Sequence, residues 1–269
     1  MARRTRLDAE LVRRGLARSR EQAVELIDAG RVEVRGTAAH KAAAMVDPAD
    51  PVRVLGGDPS DEYVSRGGHK LAGALAEFGP RGLSVEGRRC LDAGASTGGF
   101  TDVLLRAGAR QVVAVDVGYG QLAWSLRTDS RVVVHDRTNV RALTPEQIDG
   151  PAELTVADLS FISLRLVLPA LVACTAPDGD LVPMVKPQFE VGKGRVGAGG
   201  VVRDPQVRAE AVLDVARYAA ELGLGVAGVA TSPLPGPSGN VEFFLWLRRD
   251  APGVDETEVR TIVGREVGQ

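Results

Sequence analysis

The chain has 269 residues, 44% of them hydrophobic and 25% charged, with a formal net charge of −2; this suits one large domain plus a small one and carries no global charge signal for nucleic acid. Its two cysteines, Cys90 and Cys174, stand far apart in apolar runs without a CxxC or a Cys/His cluster, which excludes a disulfide framework and a zinc site and suits a reducing compartment. The basic start lacks the apolar core of a signal peptide, and the longest apolar stretch, FISLRLVLPALVACTA, is broken by Arg165 and Pro169, so neither a leader nor a membrane span is expected and the protein is placed in the cytoplasm. The first elements lie between residues 3 and 55. LDAELVRRGL has apolar residues at helical spacing, and SREQAVELIDAG supplies Ser19 as N-cap, Gln22 at the capping-box position and Gly30 as a stop. RVEVRG alternates as a half-buried strand does, and VRVL at 52–55 is a second strand.

Charge alone leaves the crowded basic start, MARRTRLDAELVRRGLARSR, equally open to being a solvated face or a nucleic-acid contact. The whole pattern RLDAELVRRGLARSREQAVELIDAGRVEVRG resembles the alpha-L RNA-binding module shared by a small-subunit ribosomal protein and several RNA-modifying enzymes. That resemblance implies that Arg4, Arg6, Arg14, Arg18 and Arg20 meet RNA phosphates, contacts that give affinity and orientation rather than sequence choice. GGDPSDEYVSRGGHK, rich in Gly, Asp, Ser and Pro, reads as a linker. The expected division is an RNA-binding domain over 1–58, a linker over 59–66 and a second domain over 67–269.

After a helix in HKLAGALAEFG the pattern becomes regular from about residue 88. Strands are expected in RRCLDAGA, QVVAVDVG, RVVVHDRT, AELTVADLS and GDLVPMVKPQ, with helices in TGGFTDVLLRAG, QLAWSLRTD and ISLRLVLPALVACT between them. A long amphipathic helix, DPQVRAEAVLDVARYAAELG, precedes the last strands, LGVAGVATSPL and NVEFFLWLRR, and a short helix is expected after Asp250. Continuous apolar strands alternating with helices mean a parallel sheet covered on both faces, a doubly wound α/β domain beside the small N-terminal α+β unit.

In such a fold ligands sit at the carboxyl ends of the strands. The first strand runs into DAGASTGGF, whose Gly94, Gly98 and Gly99 are expected to make a tight turn and let a ligand approach the backbone. The spacing is not GxGxxG, and no cluster of cations is present to hold a pyrophosphate, which argues against a dinucleotide. Asp116 ends the next strand, where a carboxylate can accept both hydroxyls of a ribose, and Asp136 ends the third, where it can meet an adenine amino group. Each could instead be a surface acid capping a helix. LDAGASTGGF with Asp116 and Asp136 resembles the S-adenosylmethionine site of class I methyltransferases, and implies cofactor contacts at Asp92, Gly94, Ala95, Ser96, Gly98, Gly99, Phe100, Asp116, Val117, Asp136 and Asp158.

Asp158 ends the fourth strand and Lys186 the fifth, Glu242 lies at the start of the last strand, and Lys70 is on the helix before the first. A lone lysine is most often a surface charge. Here the only lysines are Lys41, Lys70, Lys186 and Lys193 among 33 basic residues, so a retained lysine suggests a need for its compact, titratable ammonium. SRGGHKL, DAGASTGGFT, DVGYGQLAW, ADLSFISL, VKPQFEVGKG and PGPSGNVEFFLWL together resemble the TlyA (hemolysin A) family of ribosomal RNA 2′-O-methyltransferases over nearly the whole chain. The resemblance implies a Rossmann-like sheet ending in an antiparallel strand and a catalytic Lys-Asp-Lys-Glu tetrad at Lys70, Asp158, Lys186 and Glu242, with no metal. Lys186 is expected to act as general base or to stabilise the forming alkoxide, Lys70 and Glu242 to position it and the hydroxyl, and Asp158 to orient it. The implied substrate is cytidine 2′-hydroxyls in the 16S and 23S RNA of 30S and 50S subunits, the longer N-terminal arm going with modification of both; a monomer is expected. Tyr63 stands where relatives more often have tryptophan. The competing readings are a membrane-lytic protein, an idle RNA-binding factor and an NAD enzyme; the missing span, the intact tetrad and the loop spacing argue against them in turn.

Overall fold

A computed structural model describes residues 4–17, 19–55 and 63–264, with only the main chain of Lys193. The chain forms two units, Met1–Glu62 and Tyr63–Gln269. In the first, β1 (Thr5–Arg6), α1 (Leu7–Arg13) and α2 (Arg20–Asp28) precede β2 (Val32–Val34), β3 (Thr37–Ala38), β4 (Met45–Val46) and β5 (Val52–Val54). The strands make a β1–β4 pair and a three-stranded β3–β2–β5 sheet. Leu7 and Leu11 of α1 and Ala23, Leu26 and Ile27 of α2 lie one helical turn apart, so each helix turns one face to a small core with Val32 and Val46. Ser19 caps α2 as expected, its Oγ accepting from Gln22 N at 3.2 Å.

The second unit runs α3 (Gly67–Phe78), β6 (Arg89–Ala93), α4 (Gly99–Arg106), β7 (Gln111–Val115), α5 (Trp124–Arg127), β8 (Val132–His135), β9 (Ala152–Ala157), α6 (Leu168–Ala173), β10 (Thr175–Val185), α7 (Pro187–Glu190), α8 (Pro205–Glu221), β11 (Gly225–Thr231), β12 (Phe243–Arg248) and α9 (Glu256–Gly264). One seven-stranded sheet has the order β11–β12–β10–β9–β6–β7–β8. β6 to β10 pair in parallel, and β12 alone points opposite to the other six strands. The sheet is buried on both faces. Along β12, Phe243, Leu245 and Leu247 join the core under α6, α8 and α9, while Phe244 and Trp246 join the one under α3 and α4. This two-sided burial is why the strands read as continuous apolar runs.

Three expectations change. The helix expected across ISLRLVLPALVACT is a 3₁₀ turn at Leu164–Leu166 followed by α6, which starts around Pro169, a residue that fits only a helix's first turn. The helix in QLAWSLRTD shrinks to four residues. Of the expected linker, residues 59–62 and its boundary at 58 lie outside the described residues, while Tyr63–Arg66 belong to the second unit, where Val64 N donates to Asp102 Oδ2 at 2.8 Å. Among the described residues no helix is long and apolar enough to cross a membrane.

Candidate active site

β6 to β10 all end at one edge of the sheet. Asp116 follows β7, Asp136 follows β8, Asp158 follows β9 and Lys186 follows β10. β12 is antiparallel to β10 with Val185 opposite Phe243, so Glu242, just before β12, falls across from Lys186.

Two ion pairs occupy this edge. Lys186 Nζ lies 2.6 Å from Asp158 Oδ1 and donates a hydrogen bond to Ser160 Oγ at 3.0 Å. Asp158 Oδ1 has no other partner among the described residues, so this oxygen depends on Lys186. Lys70, on the first turn of α3, is paired with Glu242, 172 residues away in the chain. Lys70, Lys186 and Glu242 are 7%, 8% and 1% exposed. These are fixed, desolvated charges, and removing one partner would leave the other uncompensated. The four expected catalytic residues are thus brought together as two pairs at neighbouring register positions.

The loop after β6 is shaped by Gly94 at φ 90° and Gly98 at φ 100°, in the left-handed region that glycine enters without strain. The space these glycines leave is used by the chain itself rather than kept for a ligand. A Cβ on Gly94 would stand 2.4 Å from the Asp158 carbonyl oxygen, and one on Gly98 2.3 Å from Leu126 Cδ1. A Cβ on Gly99 would stand 2.4 Å from Ser65 Oγ. Asp116 ties this loop to the next, its Oδ2 accepting from Ser96 N at 2.9 Å and its Oδ1 from Gly118 N at 2.6 Å. A carboxylate has about four acceptor sites, so two remain for a diol. Asp116 does not cap α5, whose cap position is Ala123. Asp136 Oδ2 accepts from Gly120 N at 3.2 Å and from Arg127 Nη1 at 3.0 Å, so part of its role is structural. Val117 is 75% exposed beside Asp116.

Asp92 and Phe100 do not lie at the loop's surface, where they were expected. Asp92 points into the interior with no exposed surface; Thr101 Oγ1 donates to its Oδ2 at 2.7 Å, and Oδ1 has no hydrogen-bond partner among the described residues. Burial pushes its carboxyl up to about 7, the Thr101 hydrogen bond opposing and the Asp158 and Asp116 charges adding. The Phe100 ring packs in the core 6.0 Å from that of Phe244. Asp92 and Phe100 support the loop from beneath, and buried Ala95 offers only main chain. Ser160 and Glu190 enter the site without having been expected. Glu190 accepts from Ser163 Oγ at 2.6 Å and Leu164 N at 2.7 Å, bracing the Asp158 loop against the segment after Lys186, and burial raises its carboxyl. Both lie inside quoted motifs, ADLSFISL and VKPQFEVGKG, but no spacing within those motifs marks either residue.

In the first unit, Asp8 holds two of the expected RNA-facing arginines. Arg6 Nε and Nη2 donate to it at 3.1 and 3.0 Å and Arg20 Nη2 at 2.9 Å, both side chains remaining exposed. Arg4 is exposed. Arg14 is a correction. Its guanidinium donates to Glu10 Oε1 and to the carbonyls of Asp50, Asp47 and Pro48 at 2.7, 2.7, 3.3 and 2.9 Å, so it closes the unit's own turn. Arg18 lies outside the described residues.

The chain matches the FtsJ-like methyltransferase family over residues 63–249 and the S4 domain over residues 5–52. It is 66% identical over 248 residues to the 16S/23S rRNA (cytidine-2′-O)-methyltransferase TlyA of Mycobacterium tuberculosis, covering 92% of this chain and 91% of that one. It is 37% identical over 240 residues to Hemolysin A of Brachyspira hyodysenteriae, covering 89% and 98%. The solved structure of a hemolysin candidate from Streptococcus thermophilus superposes with a TM-score of 0.77 at 39% identity, covering 98% of this chain and 96% of that one.

Proposed function

Because the chain belongs to the TlyA family of FtsJ-like methyltransferases, we propose that it transfers a methyl group from S-adenosylmethionine to cytidine 2′-hydroxyls of 16S and 23S ribosomal RNA. The observation that carries this reading is the Lys186–Asp158 pair, with its lysine buried, set across from the buried Lys70–Glu242 pair at the carboxyl edge of the sheet.

The residues around the loop fit the cofactor's chemistry. Asp116, Asp136 and Asp158 follow successive strands at this edge, and carboxylates there suit a cationic cofactor better than one carrying a pyrophosphate. Asp116 would hold the ribose and Asp136 the adenine amino group, with the main chain of residues 94–99 and Val117 alongside. The cofactor supplies a methyl group activated by its sulfonium. This chain's residues align the hydroxyl and manage its proton. Lys186 meets the 2′-oxygen, taking its proton or holding the charge that develops there; such help is worth roughly 10²–10⁴-fold. Asp158 keeps Lys186 in place, and Lys70 with Glu242 fixes the approach of the ribose. The target nucleotide reaches the edge by leaving its helix.

The first unit supplies RNA affinity through Arg4, Arg6 and Arg20. The protein works on 30S and 50S subunits as a cytoplasmic monomer. The test is labelled methyl transfer to isolated subunits beside a cofactor titration. Lys186→Ala is expected to lose about 10²-fold or more of turnover while binding S-adenosylmethionine as the wild type does. Near-normal turnover would remove Lys186 from the mechanism.

A further inference from the structure

Methylating a hydroxyl releases one proton. The oxygen's electron pair forms the new O–C bond, the C–S pair stays on a sulfur that becomes neutral, and the O–H proton has to leave. Lys186, where it would arrive, is 8% exposed, so the proton has little direct access to water. Its Nζ is held by the Asp158 carboxylate, 2.6 Å away, and donates a hydrogen bond to Ser160 Oγ at 3.0 Å, the one hydroxyl among the described residues that it reaches. Ser160 is exposed. It therefore touches the buried ammonium on one side and solvent on the other. The segment that follows it is tied to the one after Lys186. Glu190 accepts from Ser163 Oγ and Leu164 N at 2.6 and 2.7 Å, and the ring of Phe161 lies 5.2 Å from that of Phe189.

We propose that Ser160 is the proton exit of the active site, carrying to water the proton that Lys186 takes from the 2′-hydroxyl. Lys186 donates a proton to Ser160 Oγ as the serine's own proton passes to a water molecule. The serine ends each cycle neutral, and the amine regains the lone pair it needs for the next hydroxyl. The inference rests on the proposed role of Lys186.

The test is single-turnover methyl transfer by the full chain on 50S subunits with saturating S-adenosylmethionine. Ser160→Ala is expected to slow the step about tenfold with unchanged affinities for cofactor and subunit and an unchanged melting temperature. Ser160→Thr, which keeps the hydroxyl, and added imidazole, a small proton acceptor, are each expected to restore the rate. A Ser160→Ala rate equal to wild type across the pH range overturns the proposal. Equal slowing in Ser160→Thr without a response to imidazole also overturns it, leaving Ser160 a structural residue. Full activity in Lys186→Ala overturns this proposal and the role of Lys186 together, whereas an inactive Lys186→Ala beside a fully active Ser160→Ala sinks this one alone.

Discussion

A carboxyl group cut off from water is costly to ionise, and Asp92 is such a group. With its carboxyl pushed up to about 7, the folded protein keeps a proton there that the unfolded chain has already released. The sign follows: the contribution to stability is fully present below the ordinary aspartate range and is lost as pH rises toward about 7. Glu190, also raised by burial, adds a slope of the same sign. Asp92→Asn is therefore expected to flatten, without abolishing, the fall in melting temperature between about pH 5 and about pH 8. An unchanged slope in that variant would place the titration elsewhere. At this scale the chain was partly legible. Lys186 stood out because lysine is rare here and an apolar strand precedes it. Asp92 was read as a ligand contact because strand-end position does not tell which side of the pleat a side chain takes. Ser160 lies inside the ADLSFISL motif but was not singled out, since its contact is with a residue 26 positions away.

The helices and strands were legible wherever a period ran long enough, as in α3, α4 and α8. Strands of two residues, such as β1, β3 and β4, are too short to show one, and Pro169 decided the start of α6 against an otherwise helical run. Around α1 the arginines looked alike in sequence but are used differently. Arg14 is bound by three carbonyls and Glu10, whereas Arg20 is held among the described residues by Asp8 and stays exposed. Arg14→Ala should thus cost the first unit about 1–3 kcal/mol in denaturant unfolding and leave the salt dependence of RNA binding unchanged. Arg20→Ala should do the reverse, lowering the slope of log K against log salt by about one with little loss of stability. Equal salt slopes for Arg20→Ala and wild type would take Arg20 out of the RNA interface.

Across the whole molecule, the alternation of strands and helices implied the doubly wound sheet, and the insertion of antiparallel β12 beside β10 completes the site by setting Glu242 across from Lys186. The Lys70–Glu242 pair spans 172 residues; no local pattern connects them, and only the likeness of several motifs to one family joined them in advance. Selection of cytidine was not legible in the same way, because no side chain in the motifs is tied to a base edge by spacing. The central claim is that this edge methylates a ribose oxygen, and nucleoside mass spectrometry tests it most directly. Subunits lacking the modification would be treated with the protein and isotopically labelled S-adenosylmethionine, and their RNA digested to nucleosides. The account expects the label in 2′-O-methylcytidine from both 16S and 23S RNA, absent with Lys186→Ala. Label on a base, or none in either RNA, would contradict it.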